Sequence, residues 1–96
     1  MKYRLTSAAE EEYAASVLFF LEDSPQSALE MIEEIESSIS EIASFPERFP
    51  VYKDDLRVKH IPAYGFSIFY RVYSDHVLIV SISHDAREEG HWSNRL

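Results

Sequence analysis

Apolar residues recur at helical spacing through the first half of this 96-residue chain and at alternate positions through much of the second. Lys2-Tyr3-Arg4-Leu5 alternates and predicts a short opening strand. Thr6 or Ser7 follows as a helix cap, and Ser7 with Glu10 three residues later has the spacing of a capping box. Ala9, Tyr13, Val17, Phe20 and Leu21 share one face of the helix so started, which predicts that it runs to about Glu22. Ser24-Pro25 restarts the chain, serine as cap and proline in the first turn. Ala28, Met31, Ile32, Ile35, Ile39, Ile42 and Ala43 form the next apolar stripe, with Glu30, Glu33, Glu34, Ser37 and Glu41 opposite. Phe45-Pro46 ends this second helix, and Pro50 keeps the following loop from resuming it.

Three strands are expected after Asp54-Asp55, at about 56–61, 66–73 and 76–84. Gly65 marks the turn between the first two, and Ser74-Asp75 suits a hairpin between the last two. The fold class is therefore α+β in the order β-α-α-β-β-β. A helical hairpin packs on one face of a small, largely antiparallel sheet and leaves the other face available. At this length the chain is one domain, residues 1–96.

On the strand from 66 to 73, Phe66, Ile68, Tyr70 and Val72 make the better core face, because the alternate set holds Arg71. Arg71, Lys59 on the neighbouring strand and Arg87 past the last strand then either converge into a cationic patch or pair with acidic neighbours on a solvated surface. His84 follows Leu78, Val80 and Ile82 at period two, which puts it at the end of an apolar ladder, either as a hydrogen-bonded core-edge residue or as a site residue. Trp92 and Arg95 continue the polar tail, where Trp92 either clamps the tail to the sheet or stacks on a ligand. On the first helix, Phe19 falls away from the apolar stripe and is read as a docking point for a partner protein or a second protomer.

Charge narrows the functional classes. The net charge is −8, with three Lys/Arg and eleven Asp/Glu in residues 1–50 and six of each in residues 51–96. Such a molecule attracts a polyanion weakly or repels it, which argues against direct nucleic-acid binding. The absence of cysteine rules out disulfides and thiolate metal sites and suits a reducing compartment. His84, Asp85 and His91 are ligand types, but their spacing matches no standard zinc or calcium loop, so neither a metal nor another cofactor is expected. The opening residues lack the apolar run of a signal peptide, and no segment suits a membrane span; the expected location is cytoplasmic.

The order Phe66-x-Ile68-x-Tyr70-Arg71, Val77 to Ile82, His84-x-x-Arg87, Trp92 and Arg95 resembles the C-terminal half of the RelE/ParE family, bacterial toxins of type II toxin–antitoxin systems associated with plasmid stabilisation. With the helices, the resemblance covers essentially the whole chain. It implies a cognate antitoxin as principal partner and leaves room for a homodimer. In the ribonuclease branch, basic side chains occupy alternate positions of the first C-terminal strand and the position before the Ile-x-Tyr motif. Here those positions hold Val58, His60 and Ser67. The non-hydrolytic ParE-like branch, whose members bind DNA gyrase, is the better match and implies target contacts through Lys59, Arg71, His84, Arg87, Trp92 and Arg95. The alternatives are an mRNA endonuclease using His84, Arg87 and His60, and a non-toxic binding module with the toxin fold.

Overall fold

The computed structural model describes residues 1–84. Strand β1 (Lys2–Leu5) leads into helix α1 (Ser7–Asp23) and helix α2 (Pro25–Ser44), followed by β2 (Val51–Lys53), β3 (Leu56–Ile61), β4 (Phe66–Val72) and β5 (His76–His84). The sheet order is β1-β5-β4-β3-β2, antiparallel except where β1 runs parallel to β5. The α+β class and the helical hairpin are as expected. The added element is β2, in a stretch expected to be loop after Pro50: Val51 and Lys53 pair with Arg57 and Leu56 across a tight turn. Asp54 takes φ 53° in that turn, a left-handed conformation that aspartate tolerates better than most residues.

Local signals fix the helix ends. Thr6, not Ser7, caps α1, its hydroxyl accepting from the Ala9 amide at 3.1 Å. Ser7 is the first helical residue, so the Ser7–Glu10 box does not form. Thr6 also joins three elements, because its amide donates to Ile79 O at 3.0 Å and its hydroxyl to Val80 O at 3.2 Å. Ser24 caps α2 by accepting from the Ser27 amide, with Pro25 in the first turn. In α2 the apolar stripe is buried at Ala28, Met31, Ile35, Ile39, Ile42 and Ala43. In α1 only Ala9 is fully buried; Tyr13, Val17 and Phe20 pack at the core margin, whereas Leu21, expected inside, is 46% exposed.

Both helices cover one face of the sheet, over a core that includes Ile61, Phe66, Ile68, Tyr70, Val77, Ile79 and Ile82. Tyr70 is wholly buried and its hydroxyl donates to Pro46 O at 2.7 Å, which ties the post-helix turn to the sheet. The opposite face carries a second cluster of Leu56, Val58, Phe69 and Val80, flanked by Tyr52 and Leu78. These four residues are buried, so the middle of that face is not open in the way the pattern suggested.

One irregularity reorganises the end of the sheet. Phe69 pairs with Ser81 and Tyr70 with Ile79, which leaves Val80 as an extra residue in β5. Leu78 and Val80 belong to the far face, whereas Ile82 belongs to the helix-side core. The expected ladder Leu78-Val80-Ile82-His84 is therefore broken by a bulge, and His84 pairs with Phe66 on the helix side.

Candidate functional site

The bulge and the early end of β1 together create a groove. β1 stops at Leu5, opposite Ile79, and beyond that point no strand flanks the outer edge of β5 among the described residues. The carboxylate of Glu12, one turn and a half into α1, takes the place of a strand there. It accepts from the Ile82 amide at 3.2 Å and from the Ser81 hydroxyl at 3.1 Å. Ser81 is fully buried, so the carboxylate satisfies donors that water does not reach.

Next to this contact lies a groove of about 380 Å³ between α1 and β5, bounded by Glu12, Ala15, Phe19, Phe66, Ile82 and His84. Phe19 forms one wall; it is 68% exposed and stands edge-on to Phe20, with ring centroids 5.6 Å apart. His84 forms the other wall, its ring edge-on to Phe66 at 5.3 Å. Gly65, at φ 67°, makes room for it, since a Cβ there would lie 3.4 Å from His84 Nε2. Two residues singled out separately in the sequence, Phe19 and His84, thus meet across one groove.

The expected convergence of Lys59 with Arg71 does not occur. Lys59 pairs in register with Ile68, faces the helices, and reaches Glu41 of α2 at 3.8 Å with its ammonium 5.4 Å from the centre of the Phe49 ring. Arg71 pairs with Leu56 on the other face, where it meets Asp55 at 3.1 Å. The physical reason is register: in the antiparallel β3–β4 ladder these two cations occupy opposite sides of the pleat. Hydrogen bonding to Tyr73 raises the Arg71 pKa further above its ordinary value. The Arg71 Nε is buried without a hydrogen-bond partner.

Arg71 instead shares its face with side chains the sequence reading passed over. The parallel register sets Arg4 beside Leu78, which in turn pairs with Arg71, and sets Lys2 beside His76. At the hairpin end of this face, the His76 ring stacks on Tyr73 at 4.9 Å, and its Nδ1 is 2.8 Å from Asp75. The hydrogen bond from His76 holds the Asp75 carboxyl below its ordinary range. Alternation in β1 was legible, but the face on which Lys2 and Arg4 lie depends on pairing with β5, 70 residues away.

The positions that carry cations in the ribonuclease branch fall together on this far face. Val58 belongs to the buried cluster, while His60 Nδ1 is 2.7 Å from the hydroxyl of Ser67 directly opposite. His84 belongs to the other side of the sheet, since its register partner Phe66 is a core residue. His60 and His84, the histidines of the endonuclease alternative, are thereby separated by the sheet. Arg87, Trp92 and Arg95, with Asp85 and His91, lie outside the described residues. Among the described residues no group of three or more metal-ligating side chains is assembled, and no helix is long and apolar enough to cross a membrane.

A five-stranded sheet covered on one side by a helical hairpin, with an apolar groove at its edge, defines a small α+β binding scaffold. Residues 3–89 match the family described as the ParE toxin of the type II toxin–antitoxin system, parDE, and the chain belongs to that family. Among solved structures, a chain titled as the chromosomal ParDE toxin–antitoxin system from P. aeruginosa is similar, with a TM-score of 0.76 and 18% identity over 88% of this chain and 95% of that one. At that identity the likeness speaks for the fold. The search of curated proteins returned no match.

Proposed function

We propose that this chain is a toxin that acts by binding a cellular target of the gyrase type, and that a cognate antitoxin neutralises it. The observation that carries this reading is the far face of the sheet. Where RNA cleavage calls for a base, an acid and cations around the scissile phosphate, Val58, His60 and Ser67 stand as an apolar side chain, an imidazole and a hydroxyl. Family membership supports the antitoxin as partner. Arg71 and Arg87 are proposed as target contacts, with His84, Trp92 and Arg95 beside them; Lys59, turned towards Glu41, is the weakest member of that set. The test is Arg87→Ala, expected to abolish growth inhibition at unchanged solubility and melting temperature. Full toxicity from the folded variant removes Arg87 from the site.

Phe19 and its groove are proposed as part of the antitoxin contact. A large exposed ring beside an apolar recess is a recurrent anchor in protein recognition. Phe19→Ser is expected to weaken complex formation about tenfold with little change in melting temperature. A large drop in melting temperature would show that the ring supports the fold and would end its assignment as an anchor.

A further inference from the structure

We propose that the seam between α1 and α2, on the flank of α1 away from the Phe19 groove, receives a basic amphipathic helix of the antitoxin. This rests on the antitoxin reading above and adds the place of contact and the chemistry of the segment.

The first observation is that α1 is apolar on too many sides for a surface helix. Ala9, Tyr13 and Phe20 account for its contact with the core. Yet Ala14, Leu18 and Leu21 are exposed, Leu18 to 62%. A helix with apolar side chains around most of its circumference is ordinarily covered on more than one side. These residues are not scattered. Ala14, Val17 and Leu21 follow the spacing of one helical ridge, and Leu29 and Ile32 stand at matching spacing on α2. Between the ridges a groove of about 280 Å³ is lined by Leu5, Glu10, Tyr13, Ala14, Val17 and Ile32. A groove flanked by two helical ridges accommodates a third helix by ridge-into-groove packing.

The second observation selects the occupant. Helices α1 and α2 contain ten Asp/Glu and no Lys, Arg or His. Glu10 lines the groove itself, and Glu33 and Glu36 follow Leu29 at i+4 and i+7. Glu36 is held towards α1 by the Tyr13 hydroxyl, which donates to it at 2.7 Å. A second copy docked here would set one acidic rim against another, and like charges across an interface are costly. A helix with an apolar stripe and flanking Lys or Arg matches both the ridge spacing and the sign of the rim.

The experiment is a titration of the full chain with the protein encoded by the adjoining reading frame, followed by fluorescence anisotropy at low and high salt. The Kd is expected to rise about tenfold between low and high salt because the rim contacts are screened. The double variant Leu21→Ser, Leu29→Ser is expected to raise it at least about tenfold. Glu33→Lys, an exposed position that folding tolerates, is expected to raise it several-fold and to flatten the salt response. Wild-type affinity in both variants would overturn the seam while leaving the antitoxin reading intact. No complex at any salt would overturn both. Self-association of the chain that Leu21→Ser abolishes would give the seam to a second copy and overturn the proposal.

Discussion

The helical layer and the far face of the sheet are built from opposite materials. Residues 7–44 carry ten acids and no base, whereas the rest of the chain carries nine Lys/Arg against seven Asp/Glu. The helical layer supplies the main core and then presents unused apolar ridges to solvent. On the far face, a buried apolar patch of Leu56, Val58, Phe69 and Val80 sits beside Arg71, Arg4 and the Tyr73–His76 stack. A net charge of −8 therefore misdescribes both sides. The sign relevant to any partner depends on which layer it meets, and the two layers suit different partners.

The comparison can be broken first by truncation. Ile68→Ala, in the core between helices and sheet, is expected to cost about 3–4 kcal/mol in denaturant unfolding. Val58→Ala, in the far-face cluster, is expected to cost about 1–2 kcal/mol. Equal losses would mean that the far face is a full second core. Next comes the joint between the layers: Glu12→Ala leaves the Ile82 amide and the Ser81 hydroxyl without that acceptor, at about 1–3 kcal/mol. A loss below about 0.5 kcal/mol would show that the edge of β5 is readily satisfied in another way.

A smaller effect follows from Tyr70, whose phenol burial pushes up to about 12 from 10.0. The folded chain keeps this proton where the unfolded chain gives it up. The associated stability is thus present in full below pH 10 and is lost as pH rises towards 12. Tyr70→Phe is expected to cost about 1 kcal/mol at neutral pH and to make the alkaline loss shallower. Tyr13, raised by burial and by its bond to Glu36, contributes a remaining loss in the same direction. The smallest effect is the sharpest on geometry. Lys59 and Arg71 pair with different acids on opposite faces, so in a double-mutant cycle Lys59→Ala and Arg71→Ala are expected to add within about 0.5 kcal/mol. A larger coupling would contradict their separation by the sheet.

What the sequence made legible was local. Ser24-Pro25, Phe45-Pro46 and Gly65 mark boundaries through backbone chemistry that acts within a few residues, and the stripe of α2 has one dominant face. The alternation in β4 was readable because Arg71 labels one side. In β3 it was not: Leu56 and Val58 face one way and Ile61 the other, so the apolar pattern could not say where Lys59 points. Leu21 continues the inner stripe of α1 by spacing but reaches a part of the helix that overhangs the core. The Val80 bulge and the parallel pairing of β1 with β5 are long-range events. They decide that His84 joins Phe19 and that Arg4 joins Arg71, groupings that no short spacing encodes. Family resemblance reached the class of protein by a route independent of those details.

The central claim is binding in place of turnover, and one assay reads it directly. Purified chain is added in parallel to a gyrase supercoiling reaction and to messenger RNA on translating ribosomes, each with and without the product of the adjoining reading frame. The account predicts loss of supercoiling, intact RNA and relief by the added partner. RNA cut on the ribosome, with supercoiling unaffected, would contradict it.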